Sequence, residues 1–90
     1  MPEVTPELTV ALPAYLEADN LAVLLPELRS TLDRLDTDYE ILVVDTQVPR
    51  DATPEVCSRN DVTYLARRHG DLYSHAIETA IRASRGTWLV

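Results

Sequence analysis

The hydrophobic pattern switches repeatedly between two periods along this chain, and that alternation restricts the available folds more than any other feature. Leu8-Thr9-Val10-Ala11-Leu12 is a short apolar run stopped by Pro13, and its low polar content predicts a buried strand. From Asn20, the residues Leu21, Leu24, Leu25, Leu28, Leu32 and Leu35 recur at i, i+3, i+4, i+7 spacing, which predicts an amphipathic helix capped by Asp19 or Asn20. Pro26 inside it removes one backbone donor, so a kink or an irregular first turn is expected. Tyr39-Glu40-Ile41-Leu42-Val43-Val44 is β-branched and nearly continuous in apolar character, and predicts a central strand ending at Asp45. Residues 46–54 lack periodicity and carry Pro49 and Pro54, which predicts a loop with a short helical turn after Pro54. Asp61-Val62-Thr63-Tyr64-Leu65 reads as a third strand. Tyr73, Ala76, Ile77, Ala80 and Ile81 then mark a second helix with Glu78 and Arg82 paired on its outer face. Gly86 is the expected C-cap, and Thr87-Trp88-Leu89-Val90 the start of a fourth strand.

Strands alternating with helical segments imply right-handed βαβ crossovers and a parallel sheet covered by helices. Ligands of such sheets bind beyond the carboxyl ends of the strands, near a reversal of strand order, which singles out Pro13 to Glu17 and Asp45 to Thr53. Ninety residues allow one small domain with a thin core, and half of something larger would look the same. The acidic, Pro-broken residues 1–7 read as a flexible N-terminus.

Several classes drop out. Gly70 and Gly86 are the only glycines, so neither G-x-G-x-x-G nor the P-loop pattern can be written. Fifteen acidic against eight basic residues, all of them Arg, give a net charge of −7, which opposes nucleic acid. Cys57 is the single cysteine, so no disulfide or multi-cysteine metal site forms within the chain and a reducing, cytoplasmic setting fits. No apolar stretch approaches the ~18 residues of a membrane span, and no targeting segment is visible.

Pro13-Ala14-Tyr15-Leu16-Glu17-Ala18-Asp19-Asn20-Leu21 resembles the P-A-Y-N-E-x-E-N-L signature that opens the nucleotide-binding half of family-2 glycosyltransferases, including the dolichol-phosphate mannose synthase-like branch. Glu40 to Asp45, followed by Asp51-Ala52-Thr53, resembles that family's E-I-[IL]-V-V-D-D-G-S-x-D-G-T, and Arg67 to Gly86 resembles its R-x-x-G-x-x-Y-G-x-A-x-x-x-G-I-x-x-A-x-G. The motifs cover residues 8–90 in the right order. The resemblance implies a GT-A fold: a three-layer α/β/α, Rossmann-like unit with a parallel sheet of about four strands in the order 3-2-1-4, here a single partial domain over residues 1–90. It also implies a UDP- or GDP-linked sugar donor, with Mg or Mn serving the complete family enzyme and no cofactor held by this chain. Departures are present. Thr46 replaces the second Asp, Gln47-Val48 the Gly-Ser pair, Leu16 the Asn, and the loop is one residue longer. The family's D-x-D lies just after the fourth strand, where this sequence stops, so catalysis by these residues alone is not expected.

A carboxylate at a strand end can accept from nucleobase N–H groups while an aromatic ring covers the base, which suits Asp45 and Tyr15. Asp45 could instead order its loop, and Tyr15 could be a packed core aromatic. Pro13 either lines the base or simply ends its strand. Glu17 could meet a ribose or base, or serve a structural role. Arg67 could fork onto a diphosphate, or be a solvated Arg beside Arg68. Asp51 is read as ordering its own loop through a turn hydrogen bond. Asp36-Thr37-Asp38 is a literal D-x-D at the wrong, amino edge of the sheet, and His69 and His75 make no convincing zinc pair. The expected function is therefore nucleotide-sugar recognition in a glycosyltransferase. The alternatives are a non-catalytic nucleotide-binding module and an interaction protein. If Thr87–Val90 is the sheet edge, pairing with another copy of the chain is also expected.

Overall fold

A computed structural model describes residues 5–90; of the stretch expected to be a flexible N-terminus, residues 1–4 lie outside the described residues. The elements run β1 (Leu8–Pro13), α1 (Ala18–Asp33), β2 (Tyr39–Asp45), α2 (Thr53–Arg59), β3 (Thr63–Ala66), α3 (Tyr73–Ala83) and β4 (Trp88–Leu89). All strand pairs are parallel and the order is β3-β2-β1-β4, as the family resemblance implies. The sheet continues upstream of β1, where the Glu7 amide donates to the Asp38 carbonyl at 2.9 Å and the Glu7 carbonyl accepts from Trp88 N–H at 3.0 Å.

The pleat sorts the apolar side chains into two layers. Ile41 and Val43 of β2, with Val10 and Leu12 of β1 and Tyr64 of β3, pack beneath Leu21, Leu25 and Leu32 of α1 and Val56 and Cys57 of α2. Val44, Ala11 and Leu65 face the other way, against Ala76 and Ala80 of α3. This second layer is thin because small residues line it. Helices on both faces make the three-layer α/β/α arrangement.

Four local expectations change. α1 starts at Ala18, two residues before Asn20, and neither Asp19 nor Asn20 caps it; the Ala18 N–H is met by Asp51 Oδ2 at 3.1 Å. The helix runs through Pro26 and stops at Asp33, leaving Leu35 exposed. α2 is a seven-residue helix that begins at Thr53, before Pro54, because Pro is well tolerated in a first turn. Gly86 is not a C-cap: α3 ends at Ala83, Ser84 is extended, and Gly86 lies beyond both. Close approach explains Gly86 instead, since a Cβ there would stand 2.5 Å from Thr9 Oγ1 and 2.6 Å from the Thr9 nitrogen.

That approach belongs to a network that fastens β4. Glu40 Oε2 accepts from Thr9 Oγ1 and from the Arg85 N–H, both at 2.7 Å, and Oε1 accepts from Arg85 Nε at 3.2 Å. Thr9 Oγ1 in turn accepts from the Gly86 N–H at 2.9 Å. Burial would raise the Glu40 carboxyl, but the hydrogen bonds from Thr9 and Arg85 outweigh it and hold the group below its ordinary value.

Candidate nucleotide site

The loops after β1, β2 and β3 meet at the carboxyl end of the sheet, and this is where all five candidate residues fall. Pro13 is the last residue of β1, in register with Val44, and the next amide, Ala14 N–H, donates to the Val44 carbonyl at 2.8 Å. Tyr15 follows with half its surface exposed (50%), which rules out a core aromatic. Leu16 sits in the left-handed region at φ 54°, a conformation that Asn adopts more easily and a branched aliphatic pays for in strain. Glu17 begins α1, its carbonyl accepting from Leu21 N–H at 2.8 Å and its Oε2 from Asn20 Nδ2 at 2.7 Å.

Asp45 ends β2 and is 1% exposed. Its Oδ2 accepts from the Tyr64 hydroxyl at 3.0 Å, so its carboxylate is engaged across the sheet and orders no loop amide. Burial first, and the bond to Asp45 second, push the Tyr64 phenol well above its ordinary value. Cys57 lies behind them, fully buried, its thiol pushed up to about 11 by burial and then by the nearby Asp45 charge. This is the inert buried cysteine the sequence implies.

Arg67 is not a solvated arginine. It is 6% exposed, its backbone N–H donates to the Asp45 carbonyl at 3.0 Å, and its guanidinium donates to the Ala14 carbonyl at 2.8 Å and the Asp71 carbonyl at 2.6 Å. The remaining Nε is the one sealed side-chain atom without a partner among the described residues. Arg67 therefore clamps the post-β1 and post-β3 loops together, which a forked donor does well and a Lys could not.

The longer post-β2 loop is pinned at both ends. Asp71 Oδ1 accepts from the Gln47 N–H at 2.7 Å, and Asp51 accepts from Thr53 N–H at 3.0 Å and Thr53 Oγ1 at 2.6 Å. The Thr53 hydroxyl bond, against the opposing effect of burial, lowers the Asp51 carboxyl. Asp51 thus makes the expected turn and also bonds Ala18, so one carboxylate serves two helix starts. Between these pins Arg50 lies over the Tyr15 ring, 5.7 Å from its centroid, with its NH2 nitrogen 3.7 Å from Asp71 Oδ2. Sequence reasoning missed Tyr64, Asp71 and Arg50. Tyr64 carried a signal, because pairing β3 with β2 in parallel places an aromatic at 64 beside Val43 and within reach of residue 45.

The far end of the sheet holds a cavity of about 710 Å³ lined by Arg29, Asp33, Asp36, Asp38 and Glu40 among others. Its acidic wall opposes a diphosphate. Asp36-Thr37-Asp38 lies there, away from the three loops, and no group of three carboxylate, His or Cys side chains among the described residues converges to hold a metal ion. The divalent ion implied for the family enzyme does not fit these residues. His69 and His75 part company: His69 Nε2 lies 3.8 Å from Glu78 Oε1, while His75 Nδ1 accepts from Leu72 N–H at 3.1 Å.

Comparisons with known proteins agree with this fold. The family model described as glycosyl transferase family 2 matches residues 9–90. Among solved structures, the fold matches mannosyl-3-phosphoglycerate synthase from Rubrobacter xylanophilus with a TM-score of 0.76 and 23% identity, over 90% of this chain and 28% of that one. The chain thus has the α/β architecture of a GT-A glycosyltransferase while spanning less than a third of the matched chain. No curated protein matches it.

Proposed function

The chain belongs to glycosyl transferase family 2, and from that premise we propose that residues 9–90 recognise the nucleotide of a UDP- or GDP-linked sugar donor. The observation that carries this reading is the placement of half-exposed Tyr15 and the Asp45 carboxylate on adjacent strand ends, β1 and β2, at the side of the sheet where ligands of parallel α/β folds enter. Tyr15 stacks on the base, Asp45 accepts from it, and Pro13 and Glu17 line the approach. Arg67 acts through the two loops it clamps. Residues 9–90 are assigned nucleotide recognition alone, and no transfer step, metal ion (Mg or Mn) or catalytic base is assigned to them. No helix among the described residues is long and apolar enough to cross a membrane, and with a single buried thiol the chain suits the cytoplasm.

UDP or GDP binds with Kd near ~1 mM, equivalent to about −4 kcal/mol, and magnesium adds little. NMR titration reads this directly: amides of residues 13–17 and 44–47 move, and their silence at several millimolar nucleotide overturns the proposal. A second activity, self-association along β4, is favoured by Trp88, 67% exposed on the outer strand. Light scattering across a concentration series decides it, a monomer at about a millimolar being the contrary result.

A further inference from the structure

Resting on the reading of Asp45 as base acceptor, we infer that the donor nucleotide carries uracil and not guanine, and that Tyr64 sets this choice. Of the two Asp45 oxygens, Oδ1 alone has no hydrogen-bond partner, and the residue as a whole is 1% exposed, so a ligand meets it at one oxygen. Oδ2 is taken by the Tyr64 hydroxyl at 3.0 Å. Oδ1 makes no hydrogen bond, yet it is not a sealed atom, since Arg67 Nε alone has that status among the described residues. The thin opening of this 1% exposed residue therefore lies at Oδ1.

The two bases present different donors. Uracil has a single N–H on its Watson–Crick edge, N3–H, flanked by carbonyls. Guanine has N1–H and the amino N2–H side by side, a pair suited to both oxygens of a free carboxylate. One open oxygen satisfies uracil in full and leaves the guanine amino group buried without a partner, a loss of about ten-fold or more in affinity. Thr46 does not make up for it: it is fully buried and its hydroxyl is turned to the Val48 carbonyl at 2.7 Å. Tyr64 cannot yield Oδ2 by ionising, because burial and Asp45 both hold the phenol protonated. Tyr64 is thus a positioning residue, acting on the base through Asp45.

Titration of the full chain with UDP, GDP and UDP methylated at N3 tests this. UDP is expected to bind at least about ten-fold more tightly than GDP, and the N3-methyl derivative to lose about ten-fold. Tyr64→Phe keeps the ring and frees Oδ2, so the UDP:GDP ratio should fall to within about two- to three-fold while the far-UV spectrum is unchanged. A wild-type preference for GDP, equal affinities, or a ratio that Tyr64→Phe leaves unaltered overturns the inference and leaves the site standing, provided both nucleotides shift residues 13–17. Failure of both nucleotides to bind removes the site and the inference together. Should Tyr64→Phe not fold, the wild-type comparison of UDP, GDP and the N3-methyl derivative decides alone.

Discussion

Removing the Glu40 carboxylate should loosen β4 before the rest of the sheet. β4 is two residues long and is held to β1 by backbone bonds from Trp88 N–H to Glu7, Val90 N–H to Thr9 and Ala11 N–H to Val90, at 3.0, 2.8 and 2.9 Å. Glu40, its side chain 9% exposed, adds three bonds through Thr9 and Arg85. In Glu40→Ala the Thr9 hydroxyl, on a fully buried residue, loses its acceptor, which costs about 1–3 kcal/mol. Arg85 is exposed, so water replaces much of its share and the ion pair adds only ~0.5 kcal/mol. The sum is about 1.5–3.5 kcal/mol against roughly 5–13 kcal/mol for a domain of this size. The variant should still fold, with a melting temperature lower by about 10–20 °C. Glu40→Gln, which keeps one acceptor oxygen, should lose roughly half as much. Because the folded carboxyl titrates below its ordinary value of 4.5, its stabilisation is full above that value and lost as the pH falls through the folded value. The gap between wild type and Glu40→Gln should therefore close in acid. Urea unfolding followed by far-UV dichroism measures the gap, and hydrogen exchange at the Trp88 and Val90 amides localises it. A Glu40→Ala variant within ~0.5 kcal/mol of wild type, or one with native protection at those amides, would refute the reasoning.

Other substitutions probe the remaining staples. Asp51→Ala removes the acceptor of Thr53 and Ala18 and should cost about 1–2 kcal/mol in urea unfolding, with the penalty shrinking below pH 3.8 as the wild-type carboxyl protonates. Gly86→Ala drives a methyl against the Thr9 backbone and should cost about 1–3 kcal/mol; combined with Glu40→Ala the two losses should not add, since both act on Thr9. Cys57, with its thiol pushed up to about 11, should resist an aromatic disulfide reagent in the native protein at pH 8 and react at once in concentrated urea.

The parallel, helix-covered sheet was readable because the period switches of the sequence leave few topologies and parallel crossovers fix their hand, whereas the strand order came from the motif resemblance. The elements that moved did so for tertiary reasons that no local pattern carries. α1 begins at Ala18 because a carboxylate 33 residues away meets its first amide. Gly86 looked like a helix cap because a Gly shortly after an apolar repeat usually is one, whereas its neighbour across the sheet, Thr9, is what requires it. The sequence placed Asp45 and Tyr15 at strand ends on the ligand side, but position alone left each between a binding and a structural role. Arg67 misled: an Arg next to another Arg reads as solvated, and only the fold reveals two carbonyls, of Ala14 and Asp71, waiting to receive it.

Several departures from the family motif fall in the post-β2 loop, and the staples explain why the chain accepts them there. Thr46, Gln47, Val48 and the extra residue all lie in the post-β2 loop. Asp71 holds the start of that loop by the Gln47 amide, and Asp51 holds its end to both α1 and α2. A loop fixed at both ends can change length and composition in between without moving Asp45, whose own position is set by the β2 ladder and by Tyr64. Between the two pins the loop presents Arg50, which rests over Tyr15. The altered loop therefore leaves Asp45 in place while Arg50, 3.7 Å from Asp71, covers the Tyr15 ring.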